Sequence, residues 1–178
     1  MRTLQQSLAG TVILVLLGGL GGAAVARSEA EAPGSDESAL LSFTLPYQGL
    51  TKSPTVLSDD GLTLRQRLSF RGAIDSGDPR LSGKLWAILD HDTYSDSRGS
   101  VFVGIVGIDS DDGVWRGTSR GYGTPDNERI YDQVLLSGED AYEGLSAMLF
   151  LLDNGTAWDV VGMVYPGELP PMPGPAAE

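Results

Sequence analysis

The sequence predicts an all-β fold, namely a single antiparallel β-barrel of seven to eight strands, with a β-sandwich as the alternative. Short runs of alternating apolar and polar residues follow one another along the chain, separated by turns rich in Asp, Asn and Gly. No stretch is typical of a long helix. Glycines inside the predicted strands favour the barrel, because they permit strong coiling and close strand approach. These glycines are Gly83, Gly104, Gly107, Gly117 and Gly162.

The first 26 residues have the pattern of a secretory signal peptide. Arg2 is followed by the apolar run Thr11–Leu20 and by an Ala-Val-Ala cleavage sequence that ends at Ala26. The alternative is a retained membrane anchor, but the apolar run is shorter than the ~20 residues that a spanning helix needs. We therefore expect a secreted protein, extracellular or periplasmic, that has no membrane contact after cleavage.

The remaining chain divides into three predicted parts. Residues 27–38 form an acidic flexible leader, residues 39–165 form the β-barrel domain, and residues 166–178 form a proline-rich C-terminal tail. The domain is long enough to enclose a hydrophobic core of ordinary size.

Charge and cysteine content exclude several functions. Lys and Arg number 12 against 24 Asp and Glu, and the net charge of −12 argues against nucleic acids and anionic membranes as partners. The chain has no cysteine, which removes disulfides, a thiol nucleophile and thiolate metal sites. We predict no cofactor and no metal.

The strands follow in order from the alternation. The clearest is Leu62–Ile74, which places leucines and Phe70 on one face and arginines on the other, as expected of a strand between core and water. Two runs around an Asp/Gly turn predict a hairpin over Val101–Tyr122. The other strands are predicted at Ala39–Leu45, Arg80–Asp92, Ile130–Ser137, Tyr142–Leu152 and Trp158–Tyr165.

Both faces of the last two predicted strands are largely apolar. In Tyr142–Leu152, for example, Leu149 and Leu151 share one face while Phe150 and Leu152 share the other. One face must belong to the core, and an exposed apolar second face is a liability. We expect a cover, either the segment near Ala39–Leu50 or another subunit in a homo-oligomer.

Three motifs in this order carry a resemblance. They are Asp-Pro-Arg-Leu-Ser-Gly at 78–83, Gly-Val-Trp-Arg-Gly at 113–117 and Ala-Tyr-Glu-Gly-Leu at 141–145. Together they resemble a group of uncharacterised secreted bacterial β-barrel domains and, more remotely, the barrels of allene oxide cyclases and dirigent proteins. The resemblance covers residues 62–165. It implies a small antiparallel barrel, often oligomeric, whose apolar interior can hold a small hydrophobic molecule, and it brings no catalytic residue with it.

Two apparent catalytic or metal-binding patterns are better explained as structure. Residues 117–121 match the G-x-S-x-G nucleophile elbow around Ser119, but that elbow requires a following helix and a later histidine. The only histidine, His91, precedes Ser119. His91 lies between two aspartates, yet a single histidine without cysteine argues against a transition-metal site. We predict no catalytic residue.

Four aromatic residues and one glutamate are candidates for lining a cavity inside the barrel. They are Trp86, Trp115, Tyr142, Glu143 and Trp158. Burial of Glu143 would be costly without a partner and would therefore indicate function. We expect non-enzymatic binding of a small apolar ligand or a protein partner. The alternatives are a cyclase- or dirigent-like enzyme acting on a hydrophobic substrate and a purely structural or interaction domain.

Overall fold

The computed structural model describes residues 37–96, 98–126 and 129–169. The predicted signal peptide, residues 27–36 of the leader and the last nine residues of the tail lie outside them. Ten strands occur in the described part of the chain. They are β1 (Ala39–Pro46), β2 (Thr51–Lys52), β3 (Val56–Leu57), β4 (Thr63–Ile74), β5 (Gly83–Tyr94), β6 (Gly99–Asp109), β7 (Gly113–Gly123), β8 (Ile130–Asp140), β9 (Leu145–Asp153) and β10 (Ala157–Pro166).

All ten strands belong to one antiparallel sheet, which confirms the all-β prediction. The strand order is β1-β10-β9-β8-β7-β6-β5-β4-β2, and β3 pairs with β4 further along. Strands β4 to β10 pair as consecutive hairpins. This meander follows from the alternation of strand and turn residues in the sequence, because antiparallel neighbours need only short connections.

The prediction of a closed barrel of seven to eight strands is wrong. The alternative, a β-sandwich, is also wrong, because all strands belong to one sheet. Strand pairing does not close the sheet, and two strands, β2 and β3, were not predicted. Each has only two residues, too few for a period-2 pattern. The chain itself connects the sheet edges: residues 47–50, here called the strap, lead from β1 to β2 beside β4.

The structure also corrects the predicted start of β5. Arg80 belongs to a 3-10 helix, Pro79–Leu81, and β5 begins at Gly83. The Asp78 carboxylate accepts the Arg80 backbone N–H and caps the helix, and Pro79 has the fixed φ that a first helical position favours. Gly83 has a φ of +156°, and a Cβ there would lie 2.3 Å from the Asp109 carbonyl oxygen. Only glycine fits this close approach.

The sheet curls so that β1 and β4, which lie near its opposite edges, contribute side chains to one hydrophobic core. The side of the sheet that faces this core is here called the inner face. Large side chains fill one part of this core. Trp115 is fully buried, stacks on Tyr142 with ring centroids 5.3 Å apart, and donates from Nε1 to the Arg80 carbonyl oxygen at 2.7 Å. Leu81 is also fully buried in this core. The 3-10 helix is thereby fixed to the sheet, and its buried Arg80 pairs with Asp78 at 2.7 Å.

The outer face of the sheet carries a continuous, largely apolar cross-strand row. From β5 to β1 it reads Ile88, Ile105, Thr118, Leu135, Met148, Met163 and Leu40. The segment near Ala39–Leu50 does not cover it, because β1 is used as an edge strand beside β10 and buries Leu41 and Leu45 on the inner face. Covering by another subunit stays a prediction.

Candidate functional site

The curled sheet partly surrounds a cavity of about 450 Å³ on its inner face, and Trp115 does not line this cavity. The inner faces of β1 and of β4 to β10 contribute to its wall, together with the strap. The apolar side chains that line it include Phe43, Leu68, Phe70, Leu89, Phe102, Val134, Leu149, Leu151 and Val160. Small inner-face residues such as Ala87 and Ser119 line this space, whereas Trp115 and Tyr142 belong to the filled part of the core and do not line it.

Asp132 is the carboxylate on the inner wall of this cavity. It lies in β8 between the inward-facing Ile130 and Val134, and all three line the cavity. The Ser119 hydroxyl donates to the carboxylate, with Oγ 2.8 Å from both oxygens. Backbone N–H groups of Gln133 and Arg120 also donate to it. The Asp132 carboxylate therefore has polar groups within hydrogen-bond distance, while the neighbouring wall of the cavity is largely apolar.

Burial raises the pKa of Asp132 to about 6, against the effect of the hydrogen bonds from Ser119 and the two backbone groups. Within the described ranges no Lys, Arg or His side chain forms an ion pair with this carboxylate. A carboxyl group with such a pKa can change its protonation state near neutral pH, which suits it for proton transfer as well as for binding.

One cross-strand row connects two other polar residues of the cavity wall, Gln66 and His91, to Asp132. From β4 to β10 it reads Gln66, His91, Phe102, Gly121, Asp132, Leu151 and Val160. The Phe102 ring covers Gly121, since its Cζ lies 2.1 Å from the position of a Cβ on that glycine. His91 contacts Phe102 edge-on with ring centroids 6.2 Å apart. Burial, with the charge of Lys52, lowers the pKa of His91, so His91 is neutral at neutral pH.

The strap forms the solvent-facing side of the cavity. Tyr47 and Leu50 line the cavity and remain exposed. The Tyr47 hydroxyl donates to the Asp153 carboxylate, and the Tyr47 ring meets Trp158 edge-on with centroids 5.9 Å apart. Gln48 Oε1 accepts the backbone N–H of Ala73 at 2.9 Å, which joins the strap to β4. A molecule entering from this side must pass these contacts.

We predict that Tyr47→Phe loosens the strap. The substitution keeps the ring contact with Trp158 and removes the hydrogen bond to Asp153, whose net value is about 0.5–1.5 kcal/mol. Hydrogen exchange at the Ala73 amide should become about 2- to 10-fold faster. Tyr122→Phe is the matched control, because Tyr122 lies exposed on the outer face. Equal exchange rates at the Ala73 amide in Tyr47→Phe and in the wild type would contradict a role of the Tyr47–Asp153 hydrogen bond in holding the strap.

The structure brings only one of the five sequence-predicted candidates to the cavity. Trp158 lines it beside Tyr47. Trp86 lies on the outer face, where it covers Gly107 and has the Arg116 guanidinium 5.4 Å from its ring centroid. Trp115 and Tyr142 belong to the filled part of the core. Glu143 is exposed in the turn before β9.

Sequence reasoning did not select Asp132, Ser119 or His91 as cavity residues. A signal for Asp132 exists, because it interrupts the apolar positions Ile130, Val134 and Leu136 at every second residue of β8. A charged residue on the core face of a strand requires compensation and indicates a special site. His91 likewise follows Leu85, Ala87 and Leu89 at every second residue of β5, and all four line the cavity.

No metal site or membrane helix is found in the described part of the chain. No group of three or more His, Cys, Asp or Glu side chains there could hold a metal ion. Among the same residues, no helix has the length and apolar character needed to cross a membrane.

Comparisons with family models, with curated proteins and with solved structures gave no match to this chain. The resemblance to secreted barrel domains, allene oxide cyclases and dirigent proteins therefore stays a prediction.

Proposed function

We propose that this protein binds a small apolar molecule in the cavity beneath the strap. The observation that carries the proposal is a space of about 450 Å³ with a largely apolar wall and a hydrogen-bonded carboxylate, Asp132, on its inner side. Ligand sites typically have volumes of this order, apolar walls and a few placed polar groups. An interior filled with Leu and Phe side chains would instead have favoured a purely structural domain.

Secretion belongs to the same proposal and is supported by the sequence pattern of the first 26 residues. The acidic composition supports a function without nucleic acid as a partner. A secreted binder of this kind would sequester or carry an apolar molecule in an aqueous compartment.

Mass spectrometry of small molecules that co-purify with the protein tests the proposal. Val134→Trp should abolish retention, because Val134 is buried in the cavity wall and the larger ring would occupy the space. Val103→Trp is the matched control, since Val103 is exposed on the outer face. The wild type and the control should retain the same molecule. Equal retention by Val134→Trp, or no reproducible molecule together with no uptake of 1-naphthalenemethanol, would contradict the proposal.

A second candidate function is acid–base catalysis on the bound molecule. It is favoured by the position of Asp132 in the cavity and by its pKa of about 6. The enzyme alternative predicts that the wild type converts the retained molecule, while Asp132→Asn binds it and leaves it unchanged. Liquid chromatography with mass spectrometry of the two incubations separates these outcomes. Recovery of the unchanged molecule from the wild type would exclude the enzyme alternative and leave only the binding function.

A further inference from the structure

We propose that the ligand carries an ammonium group, which pairs with Asp132 inside the cavity while its apolar body fills the remaining space. This inference rests on the proposed function and names the chemical class of molecule that the cavity accepts, a hydrophobic amine.

The first argument is that no cationic side chain among the described residues forms an ion pair with Asp132. Its described partners, the Ser119 hydroxyl and the backbone N–H groups of Gln133 and Arg120, are all neutral donors. By contrast, the carboxylates of Asp90 and Asp92 on the outer face pair with Arg67 and Arg65. A carboxylate in an apolar space is costly without a countercharge. A cationic ligand would supply the positive charge that the described partners of Asp132 lack.

The second argument is the aromatic ring next to this carboxylate. Phe102 lies over Gly121, and Gly121 is the direct cross-strand partner of Asp132. Substitution of Gly121 by a larger residue would displace the ring, because even a Cβ would lie 2.1 Å from Phe102 Cζ. A cation bound at Asp132 would thus have a ring nearby, and the faces of aromatic rings attract cations.

The cationic side chains of the cavity lie at its rim. Lys52 and Arg71 line the cavity but are exposed, and ion pairs at such positions contribute little. His91 is neutral because burial lowers its pKa. The rim carboxylate, Asp153, is engaged by the Tyr47 hydroxyl. An anionic ligand would therefore meet either solvated cations at the rim or the like charge of Asp132 inside.

Three ligands with one ring system test the charge preference: 1-naphthylmethylamine, 1-naphthalenemethanol and 1-naphthoic acid. Isothermal titration calorimetry on the full chain at pH 7.5 should show the amine binding at least about 10-fold more tightly than the alcohol, with the acid weakest. Asp132→Asn should remove the advantage of the amine and leave the affinity for the alcohol within about 3-fold. Asp159→Asn is the matched control, because Asp159 is exposed in β10. It should leave all three affinities unchanged.

The outcomes separate this inference from the proposed function. If the alcohol binds and the amine binds no more tightly, or if the advantage of the amine persists in Asp132→Asn, the ammonium inference is overturned and the binding function stands. Tightest binding of the acid likewise overturns the inference and assigns the site to anions held by Lys52 and Arg71. If none of the three binds, both proposals fail. Binding of the alcohol by Asp132→Asn also shows that the variant is folded.

Discussion

Replacing Arg80 by Leu should lower the free energy of unfolding by about 3–5 kcal/mol. The Asp78 and Arg80 side chains are 4% and 7% exposed and form an ion pair of 2.7 Å. Arg80 also donates to the Glu37 carbonyl oxygen at 2.8 Å. Removing the arginine leaves the Asp78 charge buried without its partner, which costs more than the pair itself contributes. Urea denaturation at pH 7 measures the loss.

The pH dependence of this loss identifies its cause. Burial opposes ionisation of Asp78, but the hydrogen bonds and charge of Arg80 outweigh burial and lower the pKa of Asp78 in the wild type. A carboxyl group with a lowered pKa contributes stability above its unfolded pKa, and the contribution is lost as pH falls through the folded value. The difference between wild type and variant should therefore shrink below about pH 4.

Arg67→Leu is the control for this prediction. Arg67 pairs with Asp90 on the surface, where the two side chains are 62% and 53% exposed. Exposed pairs contribute about 0–1 kcal/mol. A loss of the same size in Arg67→Leu and Arg80→Leu would show that burial of the Asp78–Arg80 pair has no special importance.

Replacing Asp132 by Asn should raise the free energy of unfolding at pH 7.5 by roughly 1–3 kcal/mol. Burial raises the pKa of Asp132 to about 6, above the ordinary value of 3.8. Its ionised form is therefore less favourable in the folded chain than in the unfolded chain. This cost is fully present above pH 6 and is relieved as pH falls from 6 toward 3.8. Asparagine removes the charge, and the Ser119 hydroxyl can rotate to accept from or donate to the new amide.

Urea denaturation at pH 7.5 and at pH 4 checks this prediction. The gain in the free energy of unfolding should be present at pH 7.5 and nearly absent at pH 4. The control, Asp159→Asn, should leave the free energy of unfolding unchanged at both pH values. A loss of stability in Asp132→Asn at both values would mean that the carboxylate supports folding. A gain would instead show that the chain keeps an unfavourable residue at the cavity, as is common for functional sites.

Much of the sheet could be predicted from local patterns. The hairpin predicted over Val101–Tyr122 corresponds to β6 and β7, which end within two residues of the predicted bounds. Alternation and an Asp/Gly turn are local, so the sequence contains them directly. The 3-10 helix at Pro79–Leu81 could not be found this way, because burial of Arg80 depends on Asp78, Trp115 and the segment before β1 packed together.

The candidate site was less accessible to sequence reasoning. Aromatic residues were predicted to line the cavity, yet alternation alone places Trp86 on the face of the strand opposite to that of Leu85 and Ala87. The same alternation places Asp132 inside. Whether an inner face is filled or hollow depends on the sum of side-chain volumes across eight strands and on the path of the strap, and no local pattern contains that sum.

Mapping an uncharged ligand onto the methyl groups by NMR tests the central claim, a binding cavity inside the sheet, most directly. On addition of 1-naphthalenemethanol, the methyl signals of Leu89, Val134 and Leu149 should shift and saturate, because these side chains line the cavity. Those of Val103 and Val161, exposed on the outer face, should stay unchanged. Shifts confined to the outer-face methyls, or no shift at the solubility limit of the ligand, would contradict a binding cavity.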